Sequence, residues 1–150
     1  MSFQFRFATI LQLRRRERDE AGAAVGQANE AIGRVDQQCE SIQAERQSLR
    51  DGANQQRTGT VSVDRLLTGG RYEMQLQAEI QSLNETRAEL MKELQRRRTA
   101  LTAAEAEVKR FERLEEKERA AFHVLELRRE QAEADDATAR RYTIARRQQP

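Results

Sequence analysis

A chain of 150 residues has the length of one domain, yet 35% of it is charged and only 37% hydrophobic, too little to fill a globular core. Its 27 basic and 25 acidic residues leave a net charge of +2 and are mixed along the same segments, so no strong field draws nucleic acid or a membrane. With no tryptophan and one proline, at position 150, nearly the whole chain is free to be helical, and Ala, Glu, Gln, Leu and Arg favour it.

The opening, SFQFRFATILQLRRRERDE, alternates Phe3, Phe5 and Phe7 like a strand and then turns into charge. A strand here would find no partner anywhere in the chain, so the alternation reads as a frayed lead-in whose rings pack on the end of a helix pair. A secretory signal is not expected, because Gln4, Arg6, Gln12 and the arginines from Arg14 interrupt the apolar run and no small-residue cleavage site follows. No stretch approaches the ~20 apolar residues of a membrane span.

From Phe7, steps of four and three residues pass through Leu11, Arg14, Arg18, Ala21, Val25, Ala28, Ile32, Val35, Cys39, Ile42, Arg46 and Leu49. This is a heptad seam, polar at the two early arginines and closed from Ala21 to Ile42. It predicts a first arm over about 4–54 and makes Cys39 a small core residue; a lone cysteine also has no internal disulfide partner. Gly22, Gly26 and Gly33 weaken this arm as a helix, which close packing against the second arm would explain.

A corner is expected over about 55–70, in DGANQQRTGTVSVDRLLTGGRYE, where Gly52, Gly59 and the Ser/Thr content break the first helix. Ser62 or Asp64 caps a short turn there through Leu66 and Leu67, ahead of Gly69 and Gly70. A second arm over about 71–143 carries its own seam: Leu76, Ile80, Leu83, Arg87, Leu90, Leu94, Arg97, Leu101, Ala104, Val108 and Phe111, then Glu115, Glu118, Phe122 and Leu125. The pattern decays after Leu125, which predicts a weakly packed or disordered tail to residue 150.

The fold class predicted is all-α: one long antiparallel two-helix coiled-coil hairpin, its second helix longer than the first. At ~1.5 Å per residue the arms measure about 75 and 110 Å. Folding back brings Phe7 near Phe111 or Leu114 and lets the second arm overhang the chain's start. The overhang would carry Arg140, Arg141, Arg146 and Arg147 to the end that holds Arg14 and Arg18, making one basic tip suited to an acidic partner.

Enzyme chemistry needs unlike groups brought together, and His123 and Cys39, each the only one of its kind, sit on different arms. No catalytic residue, metal site or cofactor is expected: ligands are lacking, and Gly69-Gly70 precedes Arg and Tyr instead of the Lys-Ser/Thr of a phosphate loop. The arginine pairs and triplets lack the interleaved aromatics of single-strand nucleic-acid binders. The chain is read as a protein-binding coiled coil. A generic scaffold or spacer is the alternative.

FRFATILQLRRRERDEAGAAVGQANEAI, the Gly/Ser corner, and YEMQLQAEIQSL before a long Arg/Glu helix together resemble the FliJ family of flagellar export proteins, including the Phe-x-Phe opening followed by Leu-x-x-Arg. The resemblance covers roughly 3–125. It implies a component of the flagellar type III export apparatus, needed for flagellum biogenesis, motility and hence chemotaxis. Such a component is a non-enzymatic stalk that binds and stimulates the export ATPase ring (FliI-like). It also contacts the export gate protein (FlhA-like) and export chaperones.

Carried onto this sequence, the ATPase-facing tip comprises Phe7, Leu11, Arg14, Arg18, Arg140 and Arg141. The gate-binding patch falls at Tyr72, Leu76, Glu79 and Leu83, with Glu79 standing where the family's pattern has a small apolar residue. The implied location is the cytoplasm, with at most a peripheral association at the inner membrane when the export apparatus is bound.

Overall fold

The seams are realised as two helices. The computed structural model of the protein describes residues 2–56, 59 and 62–149, and in it α1 runs Ala8–Gln56 and α2 runs Val63–Arg147. The class is all-α, a two-helix hairpin with α2 the longer, and there is no strand among the described residues. Two units are distinct: residues 1–17 with 104–150, and residues 18–103. Each pairs a segment of α1 with a segment of α2.

In the second unit the contacts run antiparallel: as α1 advances from Ala24 through Asp36 to Arg46, its partners on α2 retreat from Arg97 through Arg87 to Glu73. Ala28, Ile32 and Leu94 form its buried cluster, flanked by Val25 and Leu90, and Val35 and Leu76 are buried as well. These are the predicted seam positions. Leu49, the last predicted position on α1, is 36% exposed, so the helices pack less closely towards the connection.

Two polar groups substitute for apolar contact here. Arg97 donates from Nη1 to the Ala24 carbonyl at 2.7 Å and from Nε to Glu93 at 3.0 Å. Cys39 is half-buried, its thiol 4.0 Å from Asn84 Oδ1.

In the first unit Phe5, Leu11 and Val108 make a second buried cluster, with Phe3, Phe7, Phe111 and Leu114 packed around it. The Phe7 ring lies 6.3 Å from Phe111 and the Phe3 ring 5.7 Å from Phe122, so the alternating phenylalanines are the lead-in that the lack of a partner strand requires. Arg6 stacks over Phe7 at 4.4 Å and Arg119 over Phe3 at 5.0 Å, which keeps cations against the ring faces.

Three expectations are corrected. The corner predicted over 55–70 is shorter: α1 continues through Gly52 to Gln56, and α2 begins at Val63, directly after Ser62, whose carbonyl accepts the Leu66 N–H at 3.3 Å. Gly69 and Gly70 lie inside α2; glycine lowers helix propensity by about 1 kcal/mol without forbidding the conformation, and neither has a positive φ. Residues 57, 58, 60 and 61 of that corner lie outside the described residues.

The tail is the second correction, in part: of the two alternatives it is weakly packed and not disordered, since α2 stays helical to Arg147. Its side chains from Leu127 to Gln149 are all exposed, so what the decayed seam removes is packing, while the Ala, Glu and Arg content and pairs such as Arg129 with Glu133 at 2.9 Å keep the helix. Leu125 likewise is 62% exposed; the half-buried line passes from Phe122 to Glu126. Third, close packing does not account for the glycines of α1. A Cβ at Gly22 would meet Leu101 at an ordinary 3.9 Å, and at Gly26 and Gly33 it would meet nothing within 4 Å.

Candidate functional site

The residues expected at a basic tip are not gathered into one patch. Leu11, 3% exposed, is core and offers no surface, whereas Phe7 is half-buried against Phe111 and keeps part of its ring accessible. Arg14 is half-buried and donates to Glu17 at 2.9 Å; that bond and the facing charges of Glu17 and Glu107 hold it firmly cationic. Its Nε is buried without a hydrogen-bond partner. Arg18, in the other unit, donates to its neighbour Asp19 at 3.1 Å.

Arg140 and Arg141 are exposed and carry no ion pair among the described residues. Arg14 stands at the level of Glu107, and the 33 residues from Glu107 to Arg140 amount to about 50 Å along α2 at 1.5 Å per residue. The predicted single tip is therefore two features: a clamped arginine level on α1, and a free basic end on α2. The expected register of Phe7 on Phe111 is present, and with Phe3 on Phe122 it leaves everything beyond Glu126 without an α1 partner, which carries Arg140 and Arg141 away from the level of Arg14.

The predicted gate patch is partly assembled. Glu79 and Leu83 line a shallow groove of about 430 Å³ with Gln38, Ser41, Ile42 and Ser82, drawn from both helices of the second unit. Leu76, 3% exposed, is core and offers no surface. Tyr72 is 37% exposed and borders a different hollow with Leu49, Asp64 and Thr68. Its hydroxyl donates to Glu45, and this bond raises the phenol's pKa. Glu79 accepts a bond from Gln75 at 3.3 Å.

Sequence periodicity missed the α1 wall of this groove because Gln38 and Ser41 are polar; only Ile42, already on the seam, pointed to it.

Next to Tyr72, Glu73 receives Arg50 at 2.8 Å and Arg46 at 3.4 Å. The Arg50 hydrogen bond leads in holding the Glu73 carboxyl below its usual range, with Arg46 assisting. Glu93 is lowered the same way, first by its bond from Arg97. Both carboxylates are largely hydrated, so these pairs fix register more than they stabilise.

Among the described residues no three of His, Cys, Asp and Glu gather as a metal site, and no helix is long and apolar enough to cross a membrane. What the side chains offer is contact: shallow grooves with apolar floors, and unpaired arginines. The class defined by fold and surface is that of a helical-hairpin protein whose surface carries shallow grooves along paired helices and exposed arginines.

Comparison with known families agrees. Residues 3–147 match the family model described as Flagellar FliJ protein, and the chain belongs to the FliJ family. That membership makes it a component of flagellar export, with motility as the wider process. Neither the comparison with curated proteins nor that with solved structures returns a match.

Proposed function

We propose that this FliJ-family chain is a non-enzymatic, stalk-like subunit that binds and stimulates the flagellar export ATPase and links it to the export gate and export chaperones. It works in the cytoplasm and sits peripherally at the inner membrane while the apparatus is assembled. The observation that carries this reading is the free end of α2. Arg140, Arg141, Arg146 and Arg147 are exposed there, no acidic residue occurs from 140 to 149, and no α1 segment covers them.

Adjacent helix positions project roughly 100° apart, so these cations point to several sides. An acidic opening that surrounds the helix satisfies all of them at once, whereas a flat acidic surface satisfies a fraction. Arg14 and Arg18 contribute less, since Glu17 and Asp19 already neutralise them locally. For the gate, the groove of Ile42, Glu79 and Leu83 supports a contact on α2's early half, while Tyr72 borders a separate hollow and Leu76 is spent on the core. The family match over 3–147 favours this reading over a generic spacer.

The test is ATPase stimulation and affinity with the purified cognate export ATPase at low and high salt. Changing all four terminal arginines to Gln, or ending the chain after Leu125, should weaken binding at least about tenfold while leaving paired-helix content intact, and salt should weaken the wild type. Equal binding by all variants removes the α2 end from the mechanism. A wild type that neither binds nor stimulates sinks the proposal.

A further inference from the structure

One apolar groove has no role in the export reading and does not rest on it. It lies in the first unit, has a volume of about 660 Å³, and is floored by Phe7, just ahead of α1, and Ile10 of α1 with Phe111 and Leu114 of α2. Ile10 is 39% exposed and Leu13, one turn on, 51%, so apolar surface continues along α1 beyond the groove.

The rim is one-sided in charge. Arg110, Arg113 and Lys117 line it, with Ala106 at its head, and this spacing of four, three and four residues is a single face of α2 without a carboxylate. Arg110 is 77% exposed and only loosely paired with Glu107 at 3.7 Å; Arg113 and Lys117 have no ion pair among the described residues. Three cations beside an exposed isoleucine and half-buried phenylalanines form a local basic and apolar patch, separate from the basic end of α2. From Ala106 to Lys117 the rim spans roughly 16 Å, or three turns of a helix laid alongside.

We propose that this groove receives an acidic amphipathic helix of another protein. The guest's apolar residues, spaced i, i+3 or i+4, and i+7, cover Ile10, Phe7 and Leu114, and the carboxylates on its flank meet Arg110, Arg113 and Lys117. Charge complementarity selects this occupant: a cationic helix would be repelled, and an uncharged one would leave the rim unused. Contact through three turns gives a modest, salt-sensitive affinity, of order 10 μM.

The experiment uses the full chain and a fluorescent peptide of about 18 residues with Leu at the stated spacing and Glu on both flanks, compared with the same peptide carrying Lys for Glu. Anisotropy gives affinity, amide chemical shifts give location, and circular dichroism checks that each variant is folded. The Glu peptide should bind with shifts confined to 7–14 and 106–117. Ile10→Ser, or Arg113→Glu with Lys117→Glu, should weaken it at least about tenfold, whereas Arg34→Gln with Arg128→Gln, which removes two charges elsewhere, should change it less than about twofold.

No binding, shifts outside those segments, equal affinity for the Lys peptide, or unchanged affinity in the groove variants would each overturn the proposal. So would loss in the Arg34/Arg128 control. Vesicles of phosphatidylcholine with about one-third phosphatidylserine form the last arm: if they capture the chain through Arg113 and Lys117 while the Glu peptide does not bind, the groove is a membrane contact and the protein-helix assignment fails.

Discussion

Arg97 combines two interactions that a leucine at its seam position would replace with neither: a bond to a carbonyl in the middle of α1 and one to Glu93 on its own helix. Because a helix-interior carbonyl already accepts an intrahelical bond, the guanidinium selects one axial register for the pair. Arg97→Gln should therefore cost on the order of 1 kcal/mol, read as a lower urea midpoint, with helicity retained. Val35, buried on the same seam, should respond more strongly: Val35→Asp buries a carboxylate in the apolar line and should lower the melting temperature by several degrees or unpair the unit. Heptad spacing located both residues in advance. It gave no hint of the Ala24 carbonyl, because backbone acceptors do not show in a pattern of side-chain polarity.

At the scale of the element, the helices survive several glycines, and the open space at Gly26 and Gly33 leaves propensity as the governing term. Gly26→Ala and Gly33→Ala should each stabilise by up to about 1 kcal/mol, raising the thermal midpoint additively; a loss on either would reveal a contact that requires the bare backbone. Propensity also explains what sequence reading misjudged. Ser/Thr and glycine pairs suggested a corner reaching residue 70, and sparse apolar content suggested a disordered tail, yet in both places the helix persists because nothing competes for its backbone. Acid tests the cross-links between elements. Arginine hydrogen bonds hold the Glu73 and Glu93 carboxyls below the usual glutamate value of about 4.5, so their contribution is present above that pH and falls away as pH drops through their lowered values. Denaturation midpoints should decline below pH 4.5, and Glu93→Gln should flatten that decline.

For the molecule as a whole, pairing within the chain avoids the entropy cost of bringing two copies together, and a monomer is expected at micromolar concentration. Sedimentation equilibrium returning twice the 17.3 kDa chain mass would contradict this. The fold was legible because one physical signal, the apolar repeat, governs almost all of it. The candidate surfaces were legible only in part, since a seam residue such as Leu11 or Leu76 is spent on the core, and a docking surface depends on which side chains flank the seam in three dimensions. Ile10, off the seam by one step, became visible as a groove floor only with its α2 neighbours in place.

The exposed stretch of α2 beyond Glu126 has a kinetic counterpart. Its amide protons are shielded by the helix alone, with no partner helix to hold them, so they exchange with deuterium through local fraying, while amides near Leu11 and Val108 wait for the first unit's core to open. Deuterium uptake should therefore rise sharply just after Glu126. That contrast makes the last two dozen residues a built-in reporter: any partner that grips this end must slow their exchange, in the wild-type chain and without a label or a substitution.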